Sequence, residues 1–393
     1  MDSFEGWLER YCPSSCRRRI EGAARFEIAT LILHHALWIA LPLAFWLSGL
    51  NGRLAGDLRA HLGGDGWLPW AYLVHAALSV LSYEILLFPL TYALECVRER
   101  FRLPPADGAE EEPATFGAFL HSYFWSLAVE VLLFAGALVC IQLLRRFLGT
   151  SWWVAVWGFY ALLQLDSFTW FRPVRDRKVL DDAGFLRLVR DAFAKLGGRS
   201  AAVCVDAVEL DSREPDPARL ARLLRSPKGA GRTVVVAKDC WMALTEPARL
   251  FLVVREEAFR RSRRLLRAIN LALAAVAFCL GSWASDAIAA RMGWGNLAAP
   301  EAVPVLVIVY FSLALLFGIV LKFIARRLNL RCDLRAARAH PDGVDALADT
   351  LRQLFSLTEQ PPFLPRWCTL FLFEYAPLSR IRRVARALGR GRP

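Results

Sequence analysis

Six stretches of this chain stay apolar long enough to cross a bilayer as helices: residues 27–50, 67–94, 116–144, 151–170, 265–290 and 303–323. A hydrocarbon core about 30 Å thick needs roughly 20 helical residues. The first run follows a polar segment and has no small-residue cleavage site after it, so it reads as a retained anchor. Between the fourth and fifth runs the pattern changes. Residues 182–196 place Phe185, Leu188, Val189, Ala192, Phe193 and Leu196 at helical spacing, and Gly197 ends the element. Residues 201–210 and 233–237 are rich in valine and alternate as strands do. Asp216 and Pro217 predict a short capped helix over 217–224, then a turn over 226–231. Thr245, Glu246 and Pro247 predict the start of a helix running to residue 264. Two more helices are expected after the sixth run, from residue 325 and over 343–355, followed by a basic amphipathic tail.

The pattern predicts a polytopic α-helical membrane protein of about six transmembrane helices, with a cytosolic α/β domain between spans four and five. The segments are 1–26 (N-terminal), 27–170 (four spans), 171–264 (α/β domain), 265–326 (two spans) and 327–393 (C-terminal helices and tail). Composition agrees: of 393 residues 56% are hydrophobic, and the formal charge is +12. Arg17–Arg19, Arg98–Arg102, the arginines of 172–264 and those from Arg326 onward all fall on one side of a six-span topology. By the positive-inside rule that side is the cytosol and holds both termini. Arg145 and Arg146 are the exception. Lysine is confined to Lys178, Lys195, Lys228, Lys238 and Lys322, an arginine bias that fits a GC-rich bacterial genome and hence a bacterial inner membrane.

Other features add less. Cys140 and Cys279 lie inside apolar runs and the remaining cysteines face a reducing compartment, so no disulfide framework is expected. Cys12 and Cys16, one helical turn apart, have no second ligand pair near them. His34, His35, His75 and His121 belong to spans, His61 to a loop and His340 to a turn, and none pairs with a nucleophile. Glu84, Glu130, Asp166 and Asp286 sit in or near spans, where carboxylates usually face an interior. Trp67, Trp70, Trp152, Trp153, Trp170 and Trp283 read as an interfacial aromatic belt. The arginines of 380–392 suit anionic lipid headgroups, and no nucleic-acid partner is expected.

One segment carries chemistry. Val234-Val-Val-Ala-Lys-Asp239 leads through Leu244-Thr-Glu-Pro to Arg255-Glu256-Glu257-Ala-Phe259. After the last span comes Ala325-Arg326-Arg-Leu-Asn329-Leu-Arg-Cys-Asp333, then Tyr375-Ala-Pro-Leu-Ser-Arg380-Ile381. Upstream, Phe88-Pro-Leu precedes Arg98-Glu-Arg-Phe-Arg-Leu103. In order and spacing across residues 67–385, these resemble the integral-membrane zinc metallopeptidases of the CAAX prenyl protease type, relatives of the HtpX proteases. The matching family patterns are V-V-x-x-D, H-E-x-x-H, S-R-x-x-E-x-x-A-D, H-P-P-L-x-x-R-I and P-L…E-H-R-F-G-L. The resemblance implies zinc held by the two histidines and the later glutamate, with Glu256 at the general-base position and Asp333 supporting a ligand.

All three ligand positions are substituted, by Arg255, Phe259 and Asn329. Catalytic zinc needs about three deprotonated N, O or S donors, which a guanidinium and a phenyl ring do not supply. Glu256 alone offers about 10²–10⁴-fold as a general base, far short of peptide hydrolysis. The expectation is a catalytically inactive metalloendopeptidase fold with no zinc and no other cofactor, in which Asp333 pairs with Arg255. Its partners would be the bilayer and a peptide, lipid or membrane protein in the old cleft. The alternatives are an active enzyme with a metal site rebuilt from Glu256, Glu257, Cys332 and Asp333, or a structural subunit beside an active paralogue.

Overall fold

Long apolar helices dominate the computed structural model, which describes residues 14–62, 69–100, 115–164, 177–197, 201–206, 221–225, 232–293, 300–358 and 375–389. Helices α1 (Ser14–Leu47), α2 (Leu50–Leu62), α3 (Pro69–Arg100), α4 (Phe116–Leu148) and α5 (Trp152–Gln164) come first. The α/β unit follows: β1 (Arg177–Val179), α6 (Ala183–Lys195), β2 (Ala201–Asp206), β3 (Ala221–Arg225), β4 (Arg232–Ala237) and α7 (Lys238–Ala243). The chain then runs through α8 (Glu246–Arg291), α9 (Val303–Ala339), α10 (Val344–Thr358) and α11 (Pro377–Ala387).

Among the described residues, five helical segments are long and apolar enough to cross a membrane: Ile28–Leu47, Leu73–Val97, Phe116–Gln164, Ser262–Arg291 and Val303–Ala339. The third contains the third expected run and the described part of the fourth. Gly149, at φ 56° and ψ −131°, breaks it into α4 and α5. Within the described residues α5 has 13 residues, about 20 Å of helix. Large apolar side chains such as Leu86, Leu133, Phe147 and Trp283 remain exposed on the spanning helices. In an integral membrane protein that surface meets lipid.

Packing changes several expectations about polar groups. Arg145, expected on the face away from the other basic segments, pairs with Asp286 on α8, so its charge is met by the protein. Trp152 is fully buried against Tyr310 and is not part of a lipid-facing belt; a ring so placed contributes packing area to the bundle. Glu84 is buried on α3, where Tyr123 donates to its backbone carbonyl at 3.1 Å, while Glu130 is exposed. Cys12, Trp67, Asp166, Trp170 and Cys368 lie outside the described residues.

The sheet has the order β1-β2-β4-β3. Parallel β2 and β4 form its centre, with Val203 opposite Val234; β1 and β3 flank them antiparallel. Where a helix was expected over 217–224, residues 221–225 form β3, with Leu223 opposite Val234. The Val-Val-Val run of β4 needs a partner on each edge to satisfy its backbone. Residues 221–225, joined to it by the short stretch 226–231, supply the second edge. Asp216 and Pro217, which suggested the helix cap, lie outside the described residues.

Two helices position everything else. α8 runs unbroken for 46 residues, about 69 Å, so the segment of Arg255 and the fifth span are one rod. α9 does the same for the sixth span and Asp333 over 37 residues. The α/β unit, the lower parts of α8 and α9, α10 and α11 share one core that includes Val189, Val234, Leu252, Ala336, Leu347 and Ile381. A second core around Trp38, Tyr83, Leu138 and Leu306 joins α1, α3, α4 and α9.

The rods approach closely where Gly281 faces Tyr310. A Cβ on Gly281 would lie 2.5 Å from Tyr310 Cε1. Gly281→Ala is therefore expected to cost about 1–3 kcal/mol by overpacking. Gly136→Ala, with nothing within 4 Å of the new methyl, is the comparison. Thermal unfolding in detergent checks both; equal midpoints for the two variants would contradict this packing.

Candidate functional site

The site helix starts from a pinned end. Pro247 occupies its first turn and Glu246 meets the positive end of the helix dipole. Thr245 does not cap with its own side chain. Its backbone N–H donates to Gln353 Oε1 at 2.7 Å and its hydroxyl to Asp349 Oδ2 at 3.0 Å, both on α10. His340, at the end of α9, closes the same corner. The Asp342 N–H donates to its Nδ1 at 3.1 Å, so Nε2 carries the proton and donates to the Pro247 carbonyl at 3.1 Å. His340, in the turn that follows α9 as expected, is buried, because this corner locks α8 to α9.

Two turns on, Arg255 faces α9. Its Nε donates to Asp333 Oδ1 at 2.7 Å. Arg380 of α11 reaches the same carboxylate, Nε to Oδ2 at 2.8 Å and NH2 to Oδ1 at 2.9 Å. Asp333 is completely buried, and the arginine side chains are 4% and 3% exposed. One carboxylate thus joins three helices. Arg380 belongs to the C-terminal motif noted in the sequence, but nothing in its spacing said that it would share Asp333. Tyr375, at the motif's histidine position, lies between two guanidiniums, Arg383 at 4.2 Å and Arg326 at 5.0 Å from its ring centre. This stacking holds the start of α11 against α9.

The other acidic groups turn elsewhere. Glu256 is buried and ion-paired with Arg263. The Arg263 guanidinium also lies 5.3 Å over the Phe259 ring, covering the family's second ligand position. Glu257 takes Arg260 Nε at 3.1 and 3.2 Å. Cys332 donates to Ser262 Oγ at 3.3 Å and to the Ala258 carbonyl at 3.6 Å. Asn329 is buried one turn before Asp333. Glu256, Glu257, Cys332 and Asp333 therefore have separate partners and do not converge. Among the described residues, no three His, Cys, Asp or Glu side chains cluster as metal ligands.

Zinc does not fit these residues. The first ligand position holds a guanidinium hydrogen-bonded to the supporting carboxylate, and a dication entering there would meet two arginines. Phe259 has no donor, and the amide of Asn329 is a poor substitute for a carboxylate. Asp333, the anion best placed to attract a metal, already accepts three guanidinium hydrogen bonds.

Comparison with known proteins places the fold. No family model matches the chain, and no curated protein matches it in sequence. Among solved structures, it is similar to Ste24p of S. mikatae at a TM-score of 0.59 and 12% identity, over 95% of this chain and 89% of that one. The likeness is one of fold: a polytopic helical membrane protein built like Ste24p.

Two tests follow. Removing one partner of a buried ion pair costs about 3–5 kcal/mol. Asp333→Ala, which strands two arginines, is expected to fall in that range. Arg352→Gln breaks the half-buried pair with Asp349 at the protein surface and should cost no more than about 1 kcal/mol. Unfolding free energies compare the two, and a harmless Asp333→Ala would contradict the geometry. Burial holds the His340 pKa below its ordinary 6.5, against the opposing pull of Asp342. The unfolded chain therefore takes up the proton first as pH falls. The stability contributed by neutral His340 is full above pH 6.5 and declines towards the lowered value. His340→Gln should flatten the fall in melting temperature between about pH 7.5 and 5.5; parallel curves would contradict the neutral bridge.

Proposed function

We propose that this chain is a non-catalytic protein built on the fold of a membrane metalloendopeptidase of the CAAX prenyl protease type. In this reading it binds or regulates, holding a peptide, a lipid or another membrane protein. The observation that carries this is the Arg255–Asp333–Arg380 cluster, which occupies the first ligand position with a permanent cation and commits the supporting carboxylate to two helices. Without zinc there is no Lewis acid and no bound water of lowered pKa. Glu256, at the general-base position, is ion-paired with Arg263. The arginine distribution supports a cytosolic position for the α/β unit and both termini, in a bacterial inner membrane. The pairing of Arg145 with Asp286 meets one of the basic charges on the other face.

Rebuilding the site tests this reading. Wild-type protein purified without chelator is expected to hold no stoichiometric zinc and to leave a prenylated CAAX peptide intact. The triple variant Arg255→His, Phe259→His, Asn329→Glu should acquire about one zinc per chain, measured by mass spectrometry of the metal. Stoichiometric zinc in the wild type, with chelator-sensitive cleavage, would restore the reading as an active metalloendopeptidase.

A further inference from the structure

On the flank of the α8–α9 pair, beside the buried ion cluster, lies a cleft of about 290 Å³. Its walls are Lys195 and Leu196 at the end of α6, Glu257 and Ala258 of α8, and Arg335, Arg338 and Ala339 of α9. Helix geometry explains the convergence. Arg335 and Arg338 stand three apart on α9, so they are neighbours on one face. The Lys195 ammonium crosses from α6 and donates to the Ala339 carbonyl at 3.4 Å, which fixes it at the same wall.

The charges do not balance. Glu257 is buried and already takes Arg260. Among the described residues, no carboxylate lies within ion-pair distance of Arg335 or Arg338, and both are exposed. Three cations thus share one cleft with a single carboxylate that another arginine neutralises. Asp333, two residues before Arg335, is buried between Arg255 and Arg380.

We infer that this cleft is a binding site for a small phosphate-bearing dianion, held by Arg335, Arg338 and Lys195. Guanidiniums match phosphate oxygens two at a time and the ammonium adds a point charge. The volume suits a phosphate group with a small substituent, since pockets for larger ligands begin near about 300 Å³. Ala258 lies one turn before Ser262, where the apolar segment of α8 begins. The phosphate can therefore come from a soluble compound or from a phosphomonoester lipid headgroup. The inference is independent of whether peptidase chemistry is lost, because none of the three cations is a family zinc-ligand position.

The test uses the full chain in two settings. In detergent, inorganic pyrophosphate is titrated by calorimetry. In nanodiscs, binding is compared with and without phosphatidic acid in a neutral lipid background. Saturable binding in either setting is expected; binding in detergent identifies a soluble source, and binding only to phosphatidic acid identifies a lipid. In both, Arg335→Gln/Arg338→Gln should weaken binding by at least about tenfold with an unchanged melting temperature. Lys195→Gln should act in the same direction, and it serves if the double variant fails to fold. No binding in either setting, or binding that none of these substitutions weakens, would overturn the assignment.

Discussion

The buried carboxylate of Asp333 and the two guanidiniums that clasp it hold this structure's centre together. They join the helix that enters the membrane as the fifth span, the helix that leaves it as the sixth, and the C-terminal helix. Such a cluster is costly to desolvate and adds little net stability when intact. Its effect lies in what it forbids: once α8, α9 and α11 are built around it, removing any member leaves a buried charge. The same contact underlies the proposed loss of peptidase chemistry, because Arg255 stands where the resemblance to the prenyl protease type would place a zinc ligand.

The long rods carry this local arrangement into the membrane. α8 and α9 run without interruption from the ion cluster into their spanning segments, and Gly281 lets Tyr310 close the gap between them. Farther out, Arg145 and Asp286 neutralise one another across α4 and α8. At the opposite end, His340 and Thr245 secure the start of α8 against α9 and α10. The result is a scaffold pinned by polar contacts at several heights, with apolar packing between them.

Much of this was legible in the chain itself. The long apolar runs, the helix at Ala183–Lys195, the valine strands and the approach to Arg255 are local patterns, and local patterns survive folding. What escaped depended on distant partners. β3 is a strand because β4 offers it an edge, a fact absent from residues 217–224 themselves. Trp152 is interior because Tyr310 lies beside it, although its place at a span end resembles that of an interfacial tryptophan. Arg380 reaches Asp333 across 47 positions of sequence, and its spacing held no sign of that.

The most direct measurement is a zinc titration of the detergent-purified wild-type chain against a chromophoric chelator of micromolar affinity. An ion pair in place of a metal predicts that the chelator keeps all the zinc at every ratio. Uptake of one zinc per chain from the chelator, abolished by Asp333→Asn, would show that the carboxylate still serves a metal and would contradict the account.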